Sequence, residues 1–349
     1  MVSKGSWAVV LVSVSLWPAA LMSNLAARPQ AAHNLNYSEP AATWDEAMPL
    51  GNGLLGALVW GDGHPLRVSL DRTDLWDLRP VPEFHTPQYS YATMRRWVAQ
   101  GRIDDLHRLY DVPYGHPGPT KIPAGRIELS LGADVGFRKA ELDLARAVTV
   151  VHFAEGQTVE VLVHATQPFG MIRITSMSPE SFELLAPPFA EEVTEEAGAG
   201  KISAGDLATL RYDAPERHAG DGWTGYLQKG WGGFRFAVVL AWRQSATGWV
   251  GAWSVATSNE SSDPLAQARQ TCTEALEERF DAIFAGHCDW WQSYWEQASV
   301  SVPNAIIERH WYLETYKFGA AARADTPPIT LQGPWTADNR KIPPWKGDY

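Results

Sequence analysis

The sequence predicts a mainly β protein, with a large antiparallel β-sandwich followed by helices and by the beginning of a further domain. Over residues 37–262, apolar and polar residues alternate with period two and turn residues separate the runs, a pattern typical of antiparallel strands. After Ser262 the apolar spacing becomes helical. From about Pro303 a second helix leads into a segment rich in Pro, Trp and Gly, and we expect that domain to be truncated at Tyr349.

The composition indicates a folded, acidic protein. Hydrophobic residues make up 45% and charged residues 20%, which is ordinary globular usage. Lys and Arg total 29 against 40 Asp and Glu, so a net charge of −11 would repel a phosphate backbone, and we expect no nucleic-acid partner. The 17 tryptophans offer flat apolar faces that suit sugar rings, although a single Trp more often fills a core.

The N-terminal residues have the pattern of an export signal. Lys4 precedes an apolar run over residues 7–22 and small residues follow, which predicts a signal peptide over residues 1–27. The run is shorter than the roughly 20 residues that span a bilayer and contains Pro18, which disfavours the alternative of a retained anchor. We therefore expect a secreted or periplasmic protein with no membrane contact after signal removal.

The β-sandwich domain is predicted over residues 37–262. Residues 55–63 and 65–70 are predicted to pair as a hairpin whose turn contains Gly61 and Gly63. A helical insertion with a packing role is expected over residues 91–110. Further strand-like runs begin at Arg126, Ala147, Thr158, Gly170, Phe234 and Trp249.

A helical linker is predicted over residues 263–302, and the last domain over residues 303–349. Asp263 is placed as the N-cap and Pro264 as the first helical residue, with either two helices or one that is interrupted at Gly286. A helix is expected over residues 305–324, with Ile306, His310, Leu313 and Lys317 along one stripe.

The aromatic and sulfur-containing residues of the linker are interpreted as structural. At least two of Trp290, Trp291 and Trp295 share a helix face, which favours contact with the sandwich over ligand binding. Cys272 and Cys288 would lie about 24 Å apart on one straight helix, so no disulfide is expected.

No catalytic residue, metal site or cofactor is predicted. Glycosidic hydrolysis usually needs two carboxyl groups that face each other across the scissile bond, but the Asp and Glu residues of the strand region are scattered. The sequence contains no GxSxG element, and its ten His residues show no metal-ligand spacing. The glycine-containing segment 51–61 leads into a strand instead of a helix, which excludes a glycine-rich nucleotide-binding loop.

Two separated motifs resemble one known family. Residues 44–77 contain the pattern EA-x-PLGNG-x-x-G-A followed by DLW at residues 74–76, which resembles the opening of glycoside hydrolase family 95, the inverting α-L-fucosidases and related α-L-galactosidases. Near the end, residues 328–335 match P-x-x-LQG-x-W and residues 343–345 match PPW, which resemble the entry into that family's catalytic barrel. Family members commonly have Asn where Asp71 stands and a basic or aromatic run where residues 320–324 stand.

The resemblance implies a β-sandwich, a helical linker and the beginning of an (α/α)6 catalytic barrel. It implies hydrolysis, with inversion, of terminal α-L-fucosyl or α-L-galactosyl residues of an oligosaccharide or glycan. In the family an Asn pair, an Asp and a Glu in the barrel perform this reaction, and none of those positions is present here. We therefore expect the 349-residue chain to be inactive alone.

Five residues are candidates for substrate binding. Gln332 can hydrogen-bond a hydroxyl, Trp335 can stack on a ring, and Trp345 lies in the same segment, which the resemblance places near the barrel entrance. Asp74 and Trp76 are expected on a sandwich loop that can reach the barrel. For each of these positions, packing between the sandwich and the following elements is the alternative.

Two other functions remain open. The chain can be a complete non-catalytic carbohydrate-binding or structural module, an interpretation that the high Trp content favours. It can also be the sandwich domain of a disaccharide phosphorylase, which shares the same architecture.

Overall fold

The structure, a computed structural model, describes residues 28–190 and 205–347. The predicted signal peptide, residues 1–27, lies outside the described residues. In chain order, the strands are β1 (Leu35–Tyr37), β2 (Met48–Gly51), β3 (Leu55–Trp60), β4 (Leu66–Arg72), β5 (Trp76–Asp77), β6 (Thr120–Lys121), β7 (Arg126–Ser130), β8 (Phe137–Asp143), β9 (Val148–Phe153), β10 (Thr158–Val163), β11 (Gly170–Thr175), β12 (Ser181–Leu185), β13 (Glu216–Gly220), β14 (Trp223–Lys229), β15 (Arg235–Ser245) and β16 (Gly248–Thr257).

These strands form the predicted antiparallel β-sandwich. Nine strands make one sheet in the order β1-β8-β9-β10-β11-β16-β15-β14-β13, and five make the other in the order β12-β7-β4-β3-β2. Strands β5 and β6 form a separate short pair. The predicted hairpin is confirmed, because β3 and β4 pair antiparallel with Leu55 opposite Arg72 and Trp60 opposite Arg67.

The interior strand β15 is apolar on both faces because each face has its own core. Val238 and Leu240 point into the sandwich, whereas Val239 and Ala241 point outward into a second apolar cluster. A helix closes that second cluster, so the whole apolar run is removed from water. Burial of both faces explains why strict period-two alternation fails here.

Five α-helices accompany the sheets in the described residues: α1 (Tyr91–Ala99), α2 (Ile103–Leu106), α3 (Pro264–Glu277), α4 (Phe280–Trp295) and α5 (Ala305–Ala321). The insertion predicted as one helix over residues 91–110 is instead α1, α2 and a π-helical turn, His107–Asp111. The path between α1 and α2 contains Gly101, whose positive φ is incompatible with a continuous helix. Helices α1 and α2 are too short and too polar to span a bilayer, and none of the other described helices meets that requirement either.

The linker consists of two helices, as one of the two alternatives expected. Asp263 caps α3 by accepting a hydrogen bond from the Ala266 N–H at 3.0 Å, with Pro264 at the first position. The predicted break at Gly286 is wrong, because Gly286 lies exposed within α4 and the chain breaks at Glu278, which has ψ of 158°. Both cysteines are free thiols.

Helix α5 packs on the sandwich through tyrosines. Tyr312 and Tyr316 are buried, and the Tyr316 hydroxyl donates to the Pro49 carbonyl at 2.7 Å. Ile306, which belongs to the predicted stripe, is 80% exposed, so the face of α5 that packs on the sandwich is the one that carries the tyrosines. Two tyrosines one turn apart bury more ring area than the aliphatic residues offer and still satisfy their hydroxyls.

The segment after α5 lies directly on the five-stranded sheet. A Cβ atom on Gly56 would lie 1.7 Å from the Pro334 carbonyl oxygen, and one on Gly51 would lie 2.6 Å from the Ala320 carbonyl oxygen. Gly56 therefore permits the segment after α5 to approach the strands, and Gly51 permits the approach of the last turn of α5 itself. The Trp335 indole N–H donates to the Leu50 carbonyl at 2.8 Å and fixes the segment there.

Candidate functional site

A cavity of about 730 Å³ opens where sandwich loops meet the segment after α5. This volume is within the range typical of small-molecule sites. Its walls are mostly aromatic and apolar, with polar groups at one side. The lining residues are Thr73, Asp74, Trp76, Leu78, Trp231, Gly232, Gly233, Phe234, Ser258, Asn259, Pro327, Pro328 and Thr330.

Asp74 and Trp76 reach the cavity wall because Leu75 between them enters the core. Leu75 is fully buried, and its N–H donates to the Arg72 carbonyl at 3.1 Å, which closes a turn. The Trp76 indole N–H donates to the Thr73 carbonyl at 3.1 Å. The turn and this hydrogen bond fix the short stretch of chain that carries Asp74 and Trp76, both of which line the cavity.

Trp231 adds a further aromatic ring to the cavity lining, and this ring is carried by a turn. It lies in the short helical turn Trp231–Gly233 between β14 and β15, and 44% of its surface is exposed. Sequence reasoning missed this residue. The available signal was a tryptophan between glycines in a strand-to-strand connection, where the local chain offers no core for the ring to enter.

Arg72 organises the polar side of the cavity. Its side chain is almost completely buried, and its Nε donates to Asp74 Oδ1 at 2.7 Å. Its two terminal nitrogens donate to the carboxylate oxygens of Glu260 at 2.8 and 2.9 Å, and one also donates to the Val255 carbonyl at 2.7 Å. Burial acts to lower the pKa of Arg72, but the charges and hydrogen bonds of Asp74 and Glu260 outweigh it and raise the pKa.

The other candidate residues lie outside the cavity lining. Gln332 is half-buried near Trp76, since a Cβ on Gly347 would lie 3.4 Å from Gln332 Oε1 and 3.5 Å from the Trp76 ring. Trp335 turns its indole N–H toward strand β2, a packing contact. Trp345 is 64% exposed and is not among the lining residues. The structure thus brings Asp74 and Trp76 together with Trp231 and places the other three around them.

A buried ion pair beneath the cavity fixes the C-terminal segment. Lys121 is fully buried and donates to Asp71, and to the Arg72 carbonyl at 2.8 Å. The other Asp71 carboxylate oxygen accepts from the Thr336 N–H at 2.8 Å and from its hydroxyl. Burial lowers the pKa of Lys121, and the adjacent Asp71 carboxylate opposes that shift. The buried Asp71 carboxylate is therefore paired with the ammonium group of Lys121.

The ionic contacts next to the cavity centre on the Arg72 guanidinium. Asp74 lines the cavity, and the same guanidinium binds both Asp74 and Glu260. Within residues 28–190 and 205–347, no group of three or more His, Cys, Asp or Glu side chains is placed to hold a metal ion. What the cavity offers chemically is ring stacking and hydrogen bonding.

Residues 35–274 match the family model described as the N-terminal domain of glycosyl hydrolase family 65. The chain belongs to this family. The family 65 N-terminal domain accounts for the sandwich and for the beginning of the linker. The motifs pointed to glycoside hydrolase family 95, and both assignments describe the N-terminal domain of a glycoside-active enzyme.

Named relatives of this family 65 chain include two fucosidases. It is 29% identical over 132 residues to alpha-L-fucosidase 2 of Arabidopsis thaliana, covering 35% of this chain and 15% of the plant protein. It is 22% identical over 381 aligned positions to a probable alpha-fucosidase A of Aspergillus niger, covering 90% of this chain and 45% of the fungal protein. The chain thus spans less than half the length of these relatives.

A solved structure shows the same fold. The family 65 chain matches a putative kojibiose phosphorylase from the human microbiome with a TM-score of 0.51 and 10% sequence identity. The match covers 88% of this chain and 42% of the phosphorylase. At this identity the likeness concerns the arrangement of sandwich and helices.

Proposed function

We propose that this chain is the N-terminal portion of a glycoside hydrolase that resembles the inverting α-L-fucosidases. The two fucosidase relatives and the PLGNG and LQG-x-W motifs support this proposal. Its substrate is then an oligosaccharide or glycan with a terminal α-L-fucosyl or α-L-galactosyl residue. The chain spans 45% of the fungal relative, so we place the acid and base of the reaction in the remaining portion of such a protein.

The observation that carries the proposal is the aromatic cavity at the DLW motif, residues 74–76. Trp76, Trp231 and Phe234 present ring surfaces, and Asp74 and Asn259 present polar atoms beside them. A sugar has an apolar face of C–H groups and an edge of hydroxyls, and it binds where a ring meets a hydrogen-bonding side chain. We propose that this cavity contacts the sugar substrate.

The same cavity supports the alternative of a non-catalytic carbohydrate-binding module. With the acid and base proposed to lie in the remaining portion of the protein, this chain alone would lack a rate factor of about 10²–10⁴ for each of these proton-transfer groups. Binding without turnover is therefore the expected behaviour of the chain in either case. Hydrolysis of an α-L-fucoside by the full-length gene product, but not by residues 28–349, would separate the hydrolase from the module.

Export is a second part of the proposal. The apolar run over residues 7–22, preceded by Lys4, supports a secreted or periplasmic location. N-terminal sequencing of the protein recovered from the medium or periplasm of an expressing cell would test it. Recovery of the chain only from the cytosol with Met1 intact would contradict export.

Binding of an α-L-fucosyl oligosaccharide tests the cavity. We expect the wild-type chain to bind 2′-fucosyllactose in a calorimetric titration and Trp231→Ala to bind it at least about tenfold more weakly, because ring stacking is lost. Tyr91→Ala is the matched control, since Tyr91 is 74% exposed on α1 and does not line the cavity. Equal affinity of wild type and Trp231→Ala, or no binding by wild type, would contradict the proposal.

A further inference from the structure

We propose that Asp74 is the group that binds the sugar hydroxyls in this cavity, and that the charge around it selects neutral sugars over sugar phosphates. This inference rests on the proposed sugar-binding function and adds the class of sugar. It is carried by the contacts of Asp74, by the charges near it and by the position of Trp76.

The Asp74 carboxylate retains unused acceptor capacity. One oxygen accepts from Arg72 Nε at 2.7 Å, and the other has a longer contact of 3.4 Å with a terminal nitrogen of Arg72. A carboxylate has about four acceptor positions, so Arg72 leaves roughly two of them for a ligand. The side chain is 19% exposed, and this exposed part lines the cavity.

The carboxylate is also held in one place. Arg72 is almost fully buried and is anchored on its far side by Glu260 and by the Val255 carbonyl. Asp74 therefore does not need to be ordered when a ligand arrives, which reduces the entropy cost of binding. Two adjacent hydroxyls of a sugar ring match the two oxygens of a fixed carboxylate, and such charge-assisted hydrogen bonds are the stronger kind.

The charge at this side of the cavity is negative. Arg72 contributes one positive charge, against one negative charge each from Asp74 and Glu260. The neighbouring Lys121 and Asp71 neutralise each other. None of the residues that line the cavity in the described part of the chain is Lys, Arg or His. An anionic ligand would therefore meet uncompensated negative charge, whereas a neutral hydroxylated ring would not.

The aromatic wall gives the sugar its orientation. Trp76 lies two residues after Asp74 and also lines the cavity, and Trp231 supplies a second ring. A ring that stacks on an indole presents its hydroxyl edge sideways, toward the polar groups. The site thus combines a stacking face with one anionic acceptor, which suits L-fucose and other neutral deoxy or galacto sugars.

A matched pair of ligands and a matched pair of variants test the inference. L-Fucose and L-fucose 1-phosphate share a ring and differ by one anionic group, and both can be titrated by ligand-observed NMR. We expect the wild type to bind L-fucose roughly tenfold or more tightly than its phosphate. Asp74→Asn should weaken L-fucose binding by about tenfold and reduce the difference between the affinities for L-fucose and for L-fucose 1-phosphate. Asp104→Asn, on the exposed surface of α2, also removes one negative charge and should change neither of the two affinities.

A further variant keeps the test valid if Asp74→Asn is poorly folded. Glu260→Gln keeps the Asp74 carboxylate and removes the second negative charge, so it should narrow the difference between the affinities for L-fucose and for its phosphate; some loss of L-fucose affinity is expected too, because Glu260 anchors Arg72. Equal affinity of wild type for both ligands, or unchanged L-fucose binding by Asp74→Asn, would overturn the inference. If Trp231→Ala abolishes binding while Asp74→Asn does not, Asp74 is excluded and the proposed function stands. Absence of binding by the wild type would overturn both.

Discussion

Two groups of tryptophans in this molecule differ in their exposure to solvent and in their roles. Trp291 and Trp295 on α4 are 0% and 1% exposed and belong to the core of the sandwich. Trp76 and Trp231 stand at the cavity, where Trp231 has nearly half its surface exposed. The residue type is the same, so its surroundings decide its role. A helix face that meets a sheet buries its rings, whereas a turn between strands leaves its ring in solvent.

The buried group attaches the linker to the sandwich. The Trp295 indole N–H donates to the Leu144 carbonyl at 2.9 Å, and Trp291 stacks on Tyr316 with ring centroids 5.2 Å apart. The half-buried Trp290 lies under the Arg323 guanidinium at 3.7 Å. These contacts support the interpretation of the linker tryptophans as structural. The comparison then predicts that the two groups respond differently to mutation and to pH.

The largest effect is expected from Trp295→Ala. Removal of a fully buried indole creates a cavity, and the Leu144 carbonyl loses its donor, so the free energy of unfolding should fall by about 3–5 kcal/mol. Chemical denaturation followed by circular dichroism measures this. A loss below about 1 kcal/mol would show that α4 is not part of the cooperative core and would remove the distinction between the two groups.

Lys121→Ala should cost nearly as much, about 3 kcal/mol, because it leaves the Asp71 carboxylate buried without its cation. We place the effect at the low end of the usual range since Thr336 still donates to Asp71. The double variant with Asp71→Asn should recover part of the loss in the same denaturation experiment. If the double variant is less stable than Lys121→Ala, the pair is not what holds residues 330–347.

Acid should weaken the buried tryptophan region before the cavity. Burial lowers the pKa of His287 from 6.5 to about 4, and it lowers the pKa of His164, in ring contact with His287, to about 4. Between pH values of about 4 and 6.5, the two histidines are protonated in the unfolded chain and neutral in the folded chain. Stability therefore rises with pH over about 4 to 6.5 and is lost as pH falls, by at most about 1.4 kcal/mol per pH unit for His287.

Denaturation at pH 7 and pH 4.5 measures that difference. His287→Gln keeps a donor for the Arg146 carbonyl, which His287 contacts at 2.7 Å, and should flatten the pH dependence. Hydrogen exchange should increase first in α4 and not in the turn at Trp231. The same slope in wild type and His287→Gln would assign the acid sensitivity to other groups.

The smallest effect on stability is expected from Trp231→Ala. Nearly half of this side chain is already in solvent, so its removal exposes little new apolar surface and the change should stay within about 0.5 kcal/mol. Its effect should appear in sugar affinity instead. A destabilisation comparable to that of Trp295→Ala would place Trp231 with the buried group.

Much of the fold was predictable because local signals agreed with the tertiary structure. Turn glycines and period-two alternation located the β3–β4 hairpin, and an Asp-Pro pair located the start of α3. The break at Glu278 was not predictable, since Glu and Arg are good helix formers and the turn arises from packing of both helices on the sheet. The buried face of α5 was missed for a similar reason, because its tyrosines find partners that are remote in sequence.

The site was predictable only in part. Asp74 and Trp76 came from a motif, and the structure places both at the cavity. Trp231 is 155 residues further along the chain than Trp76, and no local pattern links the two. The role of Arg72 depends on Glu260, a partner that only the fold brings within 3 Å. Spacing in a sequence reports neighbours on one element, and this site is assembled from four separate loops.

The closeness of Gly56 to the Pro334 carbonyl has a consequence for comparing genomes. Even the single methyl group of alanine at this position would wedge the C-terminal segment away from β3, and Gly51 imposes the same demand beneath Ala320. A related sandwich that had discarded this segment in evolution would be free to replace both glycines. Their retention or loss is therefore a genetic marker of whether a given homologue still carries the segment beyond its linker.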